Sequence, residues 1–230
     1  MTQTLSGPRI EPASGGPAKS LVILSHGYGA NGDDLIGLAP YWQQLLPDTA
    51  FVSPNAPQPC DMNPGGYQWF PITMRAPGEG WRPPTDEAWQ GVKNAAPFLD
   101  NFITDQLAHY HLDETKLALV GFSQGTMMSL HVGLRRPIAP AAILGFSGAF
   151  VGAEHGAEIT AHPPIFLIHG DQDPMIPVQA MFKATEDLSA LGVAVQWHVS
   201  KGVPHSIGPD GLQLGGQFIA DALRGNLASS

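Results

Sequence analysis

Along the chain, short apolar runs rich in β-branched residues alternate with longer stretches of helical periodicity. Ser20–Ser25 (SLVILS), Ala50–Ser53, Lys116–Gly121 (KLALVG), Ala141–Phe146, Pro164–His169 (PIFLIH) and Val193–Val199 read as strands. Most are apolar at successive positions, the pattern of strands covered on both faces in a parallel sheet. Helices are predicted over Gly32–Leu46, Asp86–Tyr110, Gln124–Arg135, Val178–Leu191 and Gly211–Leu223, with Thr85 as an N-cap ahead of Asp86 and Glu87. The alternation predicts an α/β fold: an open, doubly wound, mostly parallel sheet with helices on both faces. Residues 1–19, polar and rich in Gly and Pro, are expected to form a flexible N-terminal segment ahead of a single domain over 20–230.

One stretch breaks the rhythm. Pro54 to Pro84 holds eight prolines together with Tyr67, Trp69, Phe70 and Trp81. A loop this long inside a compact domain is usually functional or disordered, and the aromatic residues argue against disorder. Two readings stand: a wall of a binding pocket, or a cover over an exposed sheet edge.

Composition narrows the partners. The 230 residues carry 20 acidic against 11 basic side chains, a net charge of −9, and no basic run. Phosphate-tracking nucleic-acid binding and adsorption to anionic membranes are therefore not expected. Cys60 is the single cysteine, so neither an intramolecular disulfide nor a thiolate-rich zinc site fits. The opening segment has no apolar core like a secretory signal, and runs such as Leu21–Leu24 are too short to span a bilayer. These features predict a soluble, cytoplasmic protein.

The chemistry is carried by Gly121-Phe122-Ser123-Gln124-Gly125, a G-x-S-x-G sequence. The pattern alone is weak, but here it follows the run KLALVG and opens the helical segment from Gln124, the strand–turn–helix setting the motif requires. Such a turn holds the serine in a strained, exposed position, and small flanking residues let strand and helix cross closely. Gly145-Phe146-Ser147-Gly148-Ala149 also follows a strand but lacks the second spaced glycine, so Ser147 reads as a turn residue.

A serine hydroxyl needs a base and an orienting acid, and in this arrangement they follow in the order acid, then His. Two loops after strand ends supply them, where open α/β sheets place their sites. In Gly170-Asp171-Gln172-Asp173-Pro174, Asp171 lies directly beyond the strand and suits a turn tie, which favours Asp173 as the acid. His205, in Lys201-Gly202-Val203-Pro204-His205, is the only histidine after the last strand and is the expected base. Ser25-His26-Gly27-Tyr28-Gly29 follows the first strong strand, so the backbone N–H groups of Tyr28 and Gln124 are the expected oxyanion donors, with His26 bracing the loop.

SHGYGANGDDL, the pair Trp69-Phe70, GFSQGTMMSL, HGDQDPMIP and the terminal PHSI resemble, in that order and from about Ser20 to Leu223, the carboxylesterase/acyl-protein thioesterase family of α/β-hydrolases. The resemblance implies Ser123 as nucleophile, Asp173 as acid and His205 as base. It also implies oxyanion donors at Tyr28 and Gln124, and an acyl-binding loop around Trp69 and Phe70. The family often has Leu in place of Tyr28 and Gly in place of Pro204.

The expected activity is two-step hydrolysis of a small-molecule ester through an acyl-enzyme, without cofactor or metal. Thioesterase or lysophospholipase chemistry is the alternative on the same triad. Fewer than 20 residues separate Phe146 from Pro164, which leaves no room for a separate lid domain. The expected site is open and favours short- to medium-chain or aryl esters, with Met175, Ile176, Phe146 and the loop aromatics as candidate walls. His109 and His111 form a lone pair with no third ligand indicated. A homodimer is expected if the apolar residues of the Pro-rich loop are exposed.

Overall fold

Residues along each central strand alternate between two hydrophobic cores, and this sets the architecture. In the computed structural model, which describes residues 4–60, 62–72 and 85–227, Leu21 and Ile23 face one core while Val22 and Leu24 face the other, all fully buried. The elements in chain order begin with β1 (Arg9–Ile10), β2 (Ser20–Ser25), α1 (Gly32–Ile36), α2 (Ala39–Trp42) and β3 (Thr49–Val52). A small hairpin, β4 (Gln58–Pro59) and β5 (Tyr67–Gln68), precedes the long α3 (Asp86–Tyr110). Then come β6 (Leu117–Phe122), α4 (Gln124–Gly133), β7 (Ala142–Phe146), β8 (Ile165–Gly170), α5 (Gln179–Ala190), β9 (Val195–Ser200) and α6 (Pro209–Leu223).

Seven strands form one sheet in the order β1-β3-β2-β6-β7-β8-β9. All neighbours pair in parallel except β1, which runs antiparallel to β3. Helices α3, α4 and α5 supply one core, through residues such as Leu99, Met128 and Met181. Helices α1, α2 and α6 supply the other, through Leu35, Trp42 and Phe218. This is the doubly wound arrangement that buried, non-alternating strands require. The outer strand β9 is the exception: Trp197 is half exposed because only one neighbour covers it.

Three expectations need correction. The segment 1–19 is not loose where it is described: Arg9 and Ile10 pair with Val52 and Phe51, Asn55 N–H donates to the Ser6 carbonyl (2.8 Å), and Leu5 is buried. A two-residue strand carries no readable periodicity, but the outer edge of β3 offers it backbone partners. The helix expected over 32–46 is two short helices, because Pro40 cannot donate to the preceding turn and starts α2 instead. Within the Pro-rich stretch, β4 (Gln58–Pro59) pairs antiparallel with β5 (Tyr67–Gln68), and Trp69 and Phe70 are buried at 1% and 3% exposure. They belong to the core, so neither is a wall of an open pocket. Trp81 lies outside the described residues. Between β7 and β8 the chain forms only a short 3-10 segment (Ala153–Glu158), and no lid domain is present among the described residues.

Candidate active site

The turn after β6 is built by close backbone contacts. Ser123 adopts φ 54° and ψ −115°, a conformation non-glycine residues rarely hold and one that costs on the order of 1–3 kcal/mol. The turn is retained because its neighbours over-determine it. Ser123 N–H donates to the Phe146 carbonyl (2.8 Å), Thr126 N–H returns to the Ser123 carbonyl (3.0 Å), and the Thr126 hydroxyl lies 2.8 Å from Gly121 O and 2.9 Å from Phe146 O. A Cβ on Gly125 would fall 1.8 Å from the Ser25 carbonyl oxygen, so α4 can cross β2 this closely only with glycine there.

Just beyond the neighbouring strand β2, Gly27 passes over the turn; a Cβ there would sit 3.3 Å from Ser123 Cβ. Gly27 to Ala30 form a tight turn, closed by Ala30 N–H to Gly27 O (3.2 Å), with Gly29 at φ 75° and Tyr28 at its crest. His26 braces this turn from below. Its Nε2 accepts from Ala56 N–H (2.9 Å), so Nδ1 carries the proton and donates to Gly27 O (2.7 Å). Burial pushes the His26 pKa down, which keeps this brace neutral.

The loops after β8 and β9 are sewn together before they present any chemistry. Asp171 Oδ1 accepts from Gly202 N–H (2.6 Å), and Gln172 N–H donates to Val203 O (3.1 Å). Gly170 packs so closely that a Cβ would come 2.1 Å from the Val203 carbonyl oxygen. This stitching sets Asp173 against His205, with Oδ2 2.7 Å from Nδ1. Oδ1 accepts the N–H groups of Met175 (2.8 Å) and Ile176 (2.9 Å). Burial alone would push the Asp173 carboxyl up. Hydrogen bonds from His169, from His205 and from the Ile176 amide outweigh it and hold the group well below the usual carboxylate range. An ionised carboxylate only accepts, so His205 Nδ1 donates and Nε2 is left as the proton acceptor. The His205 ring packs on Phe122, the residue before Ser123, at 4.9 Å between centroids.

His169 was not singled out by sequence reasoning. It sits at the buried end of β8, with Nε2 2.7 Å from Ile176 O and 3.3 Å from Asp173 Oδ2, so Nε2–H supports both the acid and its loop. A histidine in an apolar strand reads as part of the strand; its position four residues before Asp173 is the only signal for it. Met175 is 58% exposed beside this loop and Ile176 is partly buried, whereas Phe146 is fully buried in the second core and is no wall. His109 lies away from the site and hydrogen-bonds Arg9 (3.2 Å).

A doubly wound parallel sheet, with a strained serine turn after one central strand and an acid–histidine pair in loops after two later ones, is the α/β-hydrolase fold. The chain matches the phospholipase/carboxylesterase family over residues 7–223 and belongs to it. It is 29% identical over 216 residues to acyl-protein thioesterase 1 of Gibberella zeae, covering 89% of this chain and 91% of that protein. Esterase YpfH of Escherichia coli is 27% identical over 208 residues, covering 90% and 83%. The crystal structure of esterase PE8 superposes with a TM-score of 0.89 at 44% identity, over 98% of this chain and 100% of that one. The protein is a serine hydrolase acting on esters or thioesters. Among the described residues, no helix is long and apolar enough to cross a membrane.

Proposed function

We propose that the protein is a carboxylesterase that hydrolyses short- to medium-chain or aryl carboxylic esters, with Ser123 as nucleophile, His205 as base and Asp173 as the orienting acid. The observation that carries this reading is the 2.7 Å Asp173–His205 contact, on a ring that packs against the strained turn of Ser123. His205 Nε2 takes the Ser123 proton as Oγ bonds to the ester carbonyl carbon. The resulting oxyanion is held by the N–H groups of Tyr28 and Gln124, and collapse expels the alcohol, which receives the proton from His205. Water then repeats the sequence on the acyl-enzyme, releasing the acid and restoring Ser123. Asp173 stays ionised throughout, consistent with its depressed pKa.

The absence of a lid domain among the described residues supports an open site that does not require a long acyl chain. Met175 and Ile176, which follow Asp173 and donate their N–H groups to it, are the proposed contacts for the substrate. A second reading, acyl-thioester hydrolysis on the same residues, is favoured by the naming of several relatives as acyl-protein thioesterases.

The test is hydrolysis of p-nitrophenyl esters from two to twelve carbons beside matched thioesters, with Ser123→Ala in parallel. The expected profile peaks at short to medium oxygen esters and is abolished in the variant. Faster turnover of the thioester series would replace the first reading by the second, and activity surviving in Ser123→Ala would overturn both.

A further inference from the structure

Around the serine turn runs a closed set of hydrogen bonds that the two-step mechanism leaves unused. Gln124 is fully buried, and its side chain rather than its backbone is the unexplained part. Oε1 accepts the Trp69 N–H (2.9 Å) while Nε2 donates to the Phe70 carbonyl (2.8 Å), so both ends of the amide grip one backbone segment. The Trp69 indole N–H in turn donates to His26 O (3.0 Å), at the base of the Gly27–Ala30 turn. The far side of that turn is pinned to β5, through Gly29 N–H to Tyr67 O (2.8 Å) and Tyr67 N–H to Ala30 O (2.7 Å).

The geometry points to a positioning device: the Gln124 side chain and the Trp69 indole, acting through the segment after β5, set the distance between the two oxyanion donors. This rests on the esterase reading of Ser123, Tyr28 and Gln124. The two donors come from different parts of the fold. Gln124 N–H is fixed by the first turn of α4, but the Gly27–Ala30 turn belongs to no regular element and takes its position from its ties to other segments. The segment at 67–70 touches both sides and is the physical link between them. Oxyanion donors act at about 2.7–3.1 Å, so a drift of a fraction of an ångström is felt in the rate. An amide is required for this link because its donor and acceptor match one N–H and one C=O. Methionine fills nearly the same volume and makes neither bond.

Gln124→Met and Trp69→Phe test the device: the first keeps the bulk and deletes the polar link, and the second deletes the indole N–H together with part of the ring, so its melting temperature is read beside its rate. Rates on p-nitrophenyl butyrate are normalised to sites titrated with a fluorophosphonate at its end-point. Affinity for a trifluoromethyl ketone, which forms an oxyanion on the serine, is measured beside them. Gln124→Met is expected to lower kcat about 10- to 100-fold, below the roughly 100- to 1000-fold cost of deleting an oxyanion donor outright. KM stays unchanged, and ketone affinity falls by a similar factor. Trp69→Phe loses about 3- to 10-fold, and alone decides the matter if Gln124→Met does not fold. Wild-type kcat per titrated site in Trp69→Phe and in any folded Gln124→Met, or a loss confined to KM, would overturn the inference. Retained turnover in Ser123→Ala would instead overturn the esterase reading beneath it.

Discussion

The sequence Gly-Phe-Ser occurs twice at the ends of adjacent strands, as Gly121-Phe122-Ser123 after β6 and as Gly145-Phe146-Ser147 after β7. The two turns are built alike. Both serines have positive φ, 54° and 47°, and each donates its N–H to the carbonyl of the next strand, Phe146 O at 2.8 Å and Ile168 O at 2.9 Å. The chain beyond each turn differs. After Ser123, Gln124 begins α4, and Gly125 lets that helix lie against β2. After Ser147 the chain runs into an irregular loop, and the Ser147 hydroxyl is buried without a hydrogen-bond partner. Phe122 packs beside the His205 ring, whereas Phe146 is sealed in the core. A strained serine at a strand end is therefore a property of this sheet edge. On the proposed reading, the chemistry comes from the helix N-terminus behind it and the histidine beside it.

The largest effect that could break this comparison is on turnover. Ser123→Ala is expected to lower kcat by on the order of 10⁴-fold or more, while Ser147→Ala hydrolyses esters at the wild-type rate. Steady-state assays of the two purified variants check it, and an equal loss in Ser147→Ala would show that the turns are not functionally distinct.

Next comes the acid. Asp173→Asn is expected to lower kcat about 10⁴-fold, because an amide in its place can stabilise the wrong tautomer of His205. It also reports on stability. The Asp173 carboxyl is held below its ordinary range, so its contribution is present above about pH 4 and is lost as pH falls through the folded value. The gap in melting temperature between wild type and Asp173→Asn should be full at neutral pH and close on acidification. A gap that is constant with pH would contradict the ionised, hydrogen-bonded acid.

How far the sequence alone reaches is visible in these same residues. The strands at 20–25 and 142–146 are legible because their apolar runs are continuous, and the serine turn because its motif sits between a strand and a helix. Asp173 and His205 are legible as positions after strand ends, where only a few ionisable residues compete. The burial of Trp69 and Phe70 is not, since aromatic residues in a Pro-rich loop carry no period that says which way they face. His169 is hidden for a related reason: its role depends on a contact with Asp173 across a turn, which strand patterning does not encode. The strand at Arg9–Ile10 exists only because the edge of β3 is there to receive it.

A milder effect concerns the other end of the helix that the serine turn begins. His131 lies on α4, edge-on to Trp89 at 5.2 Å, with its Nδ1 buried and unpartnered. Burial first, and then the Arg135 and Lys93 charges against an opposing pull from Glu158, lower its pKa to about 4. The unfolded chain then binds a proton near pH 6.5 that the folded chain refuses until about pH 4. Stability from this group is full above pH 6.5 and declines as pH falls to about 4, by on the order of 2–3 kcal/mol. Thermal melts of wild type and His131→Leu between pH 7 and 4 should diverge, the variant losing less. Parallel curves would mean that His131 is already charged in the fold.

The smallest effect separates the two ingredients of the Ser147 turn. Ser147→Ala removes a buried hydroxyl that makes no hydrogen bond but keeps a Cβ at φ 47°, so it tests the orphaned group alone. Ser147→Gly removes the hydroxyl and the positive-φ strain together, at the cost of a more flexible unfolded chain. The strain relieved is on the order of 1 kcal/mol and the added unfolded-state entropy offsets roughly half of it. Denaturant melts should therefore place Ser147→Gly a few tenths of a kcal/mol above Ser147→Ala, with unchanged esterase rates in both. Ser123→Gly should show a similar small gain in stability while losing all turnover. If instead Ser147→Gly falls below Ser147→Ala, the second turn holds no strain, and the likeness between the two Gly-Phe-Ser turns is one of sequence and hydrogen bonding only.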